Sequence, residues 1–434
     1  MSHQTSKILN RFEAIFSVFS LIHLSSGVFP VLLTQGASEG DGIDITVFDL
    51  SLIAKISLLI YFCAFFLLVL RWKKVINVVT EGKFIWLFVI FVLISCLWSI
   101  APDKTFRFGV YGVGSTIVGL YLGTRYSLKE QLKILGWTFA TIVILSIIFA
   151  VALPKYGFML SGIYPDALRG IYTHKNQFGI TIVLASVIFF LRAIDQKEGS
   201  WIFWLLLMTS MALTVMCKST TSLANMLLML FLCLAYRVFR WRYEILVSTV
   251  LAVLISGIAA ALFFFNFIGT DAFFEAIGKD PTLSSRTDIW AQVWEAIQLK
   301  PWIGYGSASF WDGLEGPSKY VELTVRAKVA YAHNGFLDIL LGIGFIGLSL
   351  FLISYVSTVI KSLVLLRKTN TIETFWPLLF LTYLIMTNVS EGTLAALDNI
   401  FWVLYSTITF SLIAAKKNQF LEPDLELKNI QTNI

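Results

Sequence analysis

The chain has 434 residues, a mean hydropathy of +0.79, 57% apolar residues and only 14% charged ones. A soluble domain carries roughly 25% charged residues, so this composition excludes a soluble globular fold and describes a polytopic membrane protein. The formal net charge of +6 belongs to loops between apolar runs, which makes it a matter of topology and not of nucleic-acid binding.

Each membrane-crossing helix needs about 20 predominantly apolar residues, with its backbone groups satisfied internally. On that rule twelve spans are predicted, near 12–33, 50–70, 84–100, 106–124, 132–153, 176–193, 201–217, 222–238, 245–267, 333–360, 375–390 and 396–415. The first is too long for a signal-peptide core and follows Lys7 and Arg11, so it reads as an uncleaved signal anchor. With a cytoplasmic N-terminus, 20 of the 33 basic residues fall in inside segments, among them Arg71, Lys73, Arg125, Arg240 and Lys368. This is the bias of the positive-inside rule, and it makes both termini cytoplasmic. The expectation is one all-α membrane domain over 1–434, with a large external loop at 268–332 between spans 9 and 10 and a cytoplasmic tail at 416–434. The remaining external segments are 34–49 (Glu39, Asp41, Asp44, Asp49), the turn at Pro102, 154–175, the turn Lys218-Ser219-Thr220-Thr221, and the last turn around Glu391.

The inside connections are short and carry no Gly-x-x-x-x-Gly-Lys-Ser/Thr phosphate loop, so chemistry is expected outside and without ATP. Gly119-x-x-x-Gly123 in the fourth span fits close helix packing better than a dinucleotide site. Cys63, Cys96, Cys217 and Cys233 lie in or at the ends of apolar runs and have neither metal-ligand spacing nor a disulfide framework.

The external polar segments hold the candidate residues. Arg169-Gly-Ile-Tyr-Thr-His-Lys175-Asn176 precedes span 6; Arg169 and Lys175 suit a diphosphate clamp, the arginine as a planar fork and the lysine as a point charge. Interfacial anchoring explains this segment at least as well when it is taken alone. Lys218 is either snorkelling or facing a ligand. In the long loop, Ser285-Arg286-Thr287-Asp288 reads as a capping box ahead of Ile289, Trp290, Val293, Trp294 and Ile297, which share one helical face. Two tryptophans on that face suit a helix lying at the membrane interface. Arg286 would sit in the first helical turn, where the macrodipole disfavours a cation unless an anion is bound; a solvated arginine is the alternative. Pro301 and Gly304-Tyr305-Gly306 end the helix. His333-Asn334 then opens span 10. An imidazole at a helix start is kept neutral and can act as a base, or it can serve as a cap or packing group. Glu391 and Asp398 are either its supporting partners or plain loop charges.

Together these motifs resemble the O-antigen ligase and polysaccharide polymerase family of bacterial envelope proteins. His333-Asn334, nine residues and Gly344-x-x-Gly347 are similar to the family's signature after its large periplasmic loop. Ser285–Trp290 with Pro301–Gly306 is similar to its "R…W…P…G.G" stretch, Arg169–Asn176 to its "RG…HKN" stretch, and Asn388–Glu391 to its last external turn. The resemblance covers roughly residues 95–400. It implies a GT-C-like fold in the bacterial inner membrane and a metal-independent glycosyltransferase without a cofactor. Its donor would be a polyprenyl-diphosphate-linked oligosaccharide, and the acceptor a second glycan or lipid A–core. Carried over, His333 would deprotonate the acceptor hydroxyl with Asn334 and Glu391 in support. Arg286 would neutralise the departing diphosphate, with Arg169, Lys175 and Lys218 on the donor. Many ligases have arginine where this chain has Lys218, which favours the exopolysaccharide-polymerase branch over ligation. A secondary transporter is the more distant alternative; few charges inside the spans and no internal repeat speak against it. Oligomeric state is open.

Overall fold

A computed structural model describes residues 3–38, 47–160, 165–195, 199–235, 286–313, 316–326, 329–369 and 371–431, with scattered positions between 238 and 259. Glu39, Asp41, Asp44, Ser285 and most of the predicted ninth span lie outside the described residues. Among the described residues the chain is helical, with one isolated antiparallel bridge between Phe158 and Leu168.

The helices follow the apolar runs. They are α1 (His3–Leu24), α2 (Phe29–Leu33), α3 (Ser51–Val69), α4 (Trp72–Glu81), α5 (Lys83–Ile94), α6 (Pro102–Arg125), α7 (Leu128–Ala152), α8 (Pro154–Gly157), α9 (Lys175–Asp195), α10 (Ser200–Met216) and α11 (Thr220–Leu234). After the long loop's undescribed part come α12 (Arg286–Leu299), α13 (Lys319–Val325), α14 (Gly335–Lys368), α15 (Trp376–Asn388) and α16 (Ile400–Gln431). By length and composition, α3, α7, α9 and α14 can each cross a membrane, and the α4–α5 region, bent by 75°, adds a fifth if read as one broken span. α10, α11 and Ile400–Ala415 of α16 are apolar but shorter. Among the described residues the protein is therefore all-helical, with the apolar helices of a multi-pass membrane protein. The tail predicted from 416 onward continues α16 as helix.

Packing follows membrane rules, in which small residues let backbones approach and hydrogen bonds tie helices together. α6 lies along α16. A Cβ on Gly119 would fall 1.9 Å from Ser406 Oγ, and one on Gly123 2.6 Å from the Thr407 carbonyl, so the predicted close-packing role of this glycine pair is where α16 crosses. α9 is the central helix, with nearly every side chain from Phe178 to Ala193 buried.

The connections sort to two ends of the bundle. At one end the fully buried Glu13 carboxylate takes Arg71 at 2.5 Å and Arg125 at 2.6 Å, joining α1 to the ends of α3 and α6. At the other, the segments predicted as external meet one another. Arg169 reaches the carbonyl of Gly36, Lys175 that of Lys218, Thr105 that of Ser307, and Asn176 the carboxylate of Glu391.

α14 is broken where the long loop docks. Gly344 has φ 64° and ψ −168°, a region open essentially to glycine alone. The break frees backbone groups that the loop then satisfies: Tyr305 N–H donates to Leu341 O at 2.8 Å, Gly306 N–H to Gly342 O at 2.9 Å and Phe345 N–H to Pro301 O at 2.8 Å. A Cβ on Gly344 would lie 2.2 Å from the Trp302 carbonyl carbon. Gly344→Ala is expected to cost about 1–3 kcal/mol in backbone strain, and the clash with Trp302 adds to it. A lowered unfolding midpoint of the detergent-purified protein, with loss of the loop's protection from protease, is the checking measurement.

Candidate active site

The site is assembled on α12. Its predicted apolar stripe exists, since Ile289, Val293 and Ile297 are buried, but they pack on Tyr305, Phe310, Val321, Leu340 and Leu341 of the loop and α14. The expected placement of this face at the membrane interface is corrected accordingly. The stripe is the core of a small layer of its own, because the loop brings its own apolar residues to cover it. The two tryptophans part company: Trp290 turns inward and donates from Nε1 to the Ala332 carbonyl at 2.9 Å, while Trp294 stays 47% exposed.

Ala332 leads directly into His333, which has φ 52°. A left-handed non-glycine residue costs of order 1–3 kcal/mol and persists only where its surroundings fix it. Here both flanks are fixed. Ala332 N–H donates to Asp338 Oδ1 at 3.0 Å. On the other side, Asn334 caps α14, its Oδ1 accepting from Phe336 N–H at 3.0 Å and Leu337 N–H at 3.2 Å. Asn334 is thus a helix N-cap, a role its residue type favours.

Glu391, in the turn between α15 and α16, is the point of convergence. Its Oε1 receives Arg286 Nη2 at 3.3 Å and Asn176 Nδ2 at 3.1 Å, its Oε2 receives the Tyr331 hydroxyl at 3.3 Å, and its backbone carbonyl receives Gly335 N–H at 3.1 Å. Three segments far apart in sequence, around 176, 286 and 331–335, meet on one residue. The Tyr331 ring in turn lies 4.2 Å, centroid to centroid, from the His333 imidazole. The sequence asked what anion relieves Arg286 at the start of a helix; in this structure the anion is Glu391.

Electrostatics sets the protonation states. Burial lowers the His333 pKa to about 4, helped by the neighbouring Arg286 charge and by His174. The imidazole is therefore neutral at pH 7, and its Nδ1 is buried without a hydrogen-bond partner among the described residues. Burial raises the Glu391 pKa, opposed by Arg286 and by the hydrogen bonds from Tyr331 and Asn176. Tyr331 is pushed well up, first by burial and then by the Glu391 charge, so its hydroxyl stays a donor.

The other basic candidates sit differently. Arg169 is fully buried, and its guanidinium donates to the carbonyls of Tyr156 (3.1 Å), Thr173 (3.2 Å), Gly36 (2.6 Å) and Lys155 (3.0 Å). It ties the 154–173 segment together at Gly170, whose φ of 57° turns the chain. Lys175 is buried and donates to the Lys218 carbonyl at 2.8 Å. Lys218 itself has φ 50° and reaches the Pro165 carbonyl at 3.1 Å through an exposed hydrogen bond. The two lysines thus come together through a backbone carbonyl, beside Asn176 of the Glu391 cluster. Asp398, the other acidic candidate, lies near Tyr61 on α3. Sequence reading did not single out Tyr331, Asp338 or the inward turn of Trp290. Spacing was the available signal: Tyr331 stands two residues before His333, and Asp338 one helical turn after Asn334.

The matching family model, described as O-antigen ligase, covers residues 205–352. The chain is also 27% identical over 338 residues to the exopolysaccharide production protein ExoQ of Rhizobium meliloti (strain 1021), spanning 74% of this chain and 75% of that protein. Both matches support a relation of this chain to the O-antigen ligase and polymerase-related proteins. The segment matched by the family model holds Lys218, Arg286, His333, Asn334 and the Gly344-x-x-Gly347 break, while Arg169, Lys175 and Glu391 lie outside it.

Proposed function

We propose that this protein lengthens a surface polysaccharide at the periplasmic face of the bacterial inner membrane, as a metal-independent glycosyltransferase without a cofactor. Its donor is a glycan on a polyprenyl diphosphate and its acceptor a hydroxyl of a second glycan. The observation that carries this reading is the linked set Arg286–Glu391–Tyr331–His333, in which a neutral imidazole and a guanidinium belong to one largely buried cluster. His333 takes the acceptor's proton as its oxygen attacks the anomeric carbon. The bond from that carbon to the diphosphate oxygen breaks, and the electron pair leaves with the diphosphate, whose charge Arg286 meets. A diphosphate is already a good leaving group, so activating the nucleophile and neutralising the departing charge suffice.

Glu391 and Asn334 position these two groups. The exposed reach of Lys218 suits an outer phosphate contact. Arg169 and Lys175, committed to backbone carbonyls, shape the wall behind it in place of the direct donor contact expected from sequence. The topology we propose keeps twelve spans, both termini cytoplasmic and the 268–332 loop periplasmic. ExoQ's description as an exopolysaccharide production protein and Lys218 favour polymerisation. The family model's description as O-antigen ligase keeps transfer to lipid A–core as the second reading.

A chromosomal deletion complemented with wild type, His333→Ala or Arg286→Ala tests this. The expected result is loss of long chains with single repeat units retained, restored by wild type alone. Polyprenyl-linked long chains accumulating over bare lipid A–core would instead establish ligation. Full complementation by His333→Ala would overturn the catalytic assignment.

A further inference from the structure

The proposed reaction needs a base and a cationic group that come from different segments, His333 ahead of α14 and Arg286 at the start of α12. Their separation is set where the two segments touch, and that place is Ala332. The Ala332 carbonyl accepts from Trp290 Nε1 at 2.9 Å, and Trp290 stands one helical turn after Arg286 on α12. The Ala332 N–H donates to Asp338 Oδ1 at 3.0 Å, and Asp338 stands one turn into α14 after the cap. The same Oδ1 accepts from Trp311 Nε1 at 2.9 Å, bringing in the segment that follows the broken-helix docking. Both peptide groups of Ala332 are therefore gripped, immediately before the left-handed His333.

Asp338 calls for an explanation beyond helix building. It is 9% exposed, and its Oδ2 is buried without a hydrogen-bond partner among the described residues. Burying a carboxylate is unfavourable unless it is well compensated. Asn334 already caps the helix, so the cap does not require Asp338. Gly392, next to Glu391, leaves room for the idle oxygen: a Cβ there would come within 3.0 Å of Oδ2 and 3.2 Å of the Tyr331 ring.

Resting on the glycosyl-transfer reading, we infer that Asp338 and Trp290 are positioning residues which, by gripping the two sides of Ala332, set the distance between His333 and Arg286. They touch neither donor nor acceptor. Their effect falls on the rate of the bound complex, because a misplacement of about 1 Å costs on the order of 100-fold.

The test uses the full-length purified protein with a synthetic polyprenyl-diphosphate oligosaccharide, and compares Asp338→Ala, Asp338→Asn, Trp290→Phe and the double variant Trp290→Phe/Asp338→Ala. Asp338→Ala and Trp290→Phe are expected to lower kcat about 10- to 100-fold while the donor KM and the unfolding midpoint stay near wild type. Asp338→Asn, which keeps an acceptor oxygen, should recover most of kcat. The double variant should fall little below the worse single one, as for residues acting as a unit. Amide hydrogen exchange at Ala332 reads the grip without turnover: it should quicken in Asp338→Ala and stay slow in Asp338→Asn. Wild-type protection of that amide in Asp338→Ala, or wild-type kcat in both single variants, would overturn the inference. A wild-type protein that transfers no glycan, with the exchange pattern as expected, would sink the reaction assigned above and leave the grip standing.

Discussion

Purified His333→Ala is expected to transfer glycan about 10²–10⁴-fold more slowly than wild type, the usual worth of a positioned general base, with donor KM little changed. The effect falls on kcat because, in the proposed reaction, His333 would take the acceptor's proton and Arg286 would meet the diphosphate. Protonation adds a sharper signature. Burial, Arg286 and His174 hold the free-enzyme imidazole at about 4, so the acid limb of kcat/KM, which reports the free enzyme, should lie near pH 4. Arg286→Gln removes a like charge, which must move that limb upward towards the ordinary histidine range. The sign for stability follows as well. The folded-state value is depressed, so the unfolded chain takes the proton first as pH falls below about 6.5. The stability held by a neutral His333 is lost between there and about pH 4. A limb that stayed near 6.5 in wild type would remove the case for a buried base beside a cation.

Glu391→Ala should be the most damaging single change to the site's structure. It removes the acceptor of Arg286, Asn176 and Tyr331 at once, and the Arg286 side chain is only 17% exposed. Removing one partner of a buried ion pair costs about 3–5 kcal/mol, because the remaining charge is left uncompensated. Glu391→Gln keeps the shape and one acceptor oxygen but not the charge, so it should recover only part of the stability. It should lose activity, since the order of Arg286 depends on the charge. Thermal unfolding in detergent, set beside turnover, separates the two: a Glu391→Ala protein as stable as wild type would contradict the hub described for this residue.

Helix positions were legible because bilayer physics leaves a span few options: a run of apolar residues must be helix, and its ends are where charges gather. The packing of Gly119 and Gly123 was legible for the same reason, since small residues have few other uses inside a bundle. Side-chain direction was not. Arg169 and Arg286 look alike in sequence, each a cation near a turn at the external end. One turns fully inward to four carbonyls and the other to a single carboxylate. The difference arises from chain reversal at Gly170, whose surplus of carbonyls a buried guanidinium can satisfy. The α12 stripe shows the same limit. Periodicity found its apolar face but could not say whether lipid or the loop's own residues would cover it. Asp338 was hidden because its partners, Ala332 and Trp311, are defined only once α14 and the loop are docked.

The most direct measurement of the central claim is reconstitution of the purified chain with a defined polyprenyl-diphosphate oligosaccharide in the presence of a metal chelator. Glycan chains longer than the donor, still on polyprenyl diphosphate and made by wild type but not by His333→Ala, are what the account predicts. Donor left intact by a folded wild-type protein, with or without lipid A–core supplied, would contradict it.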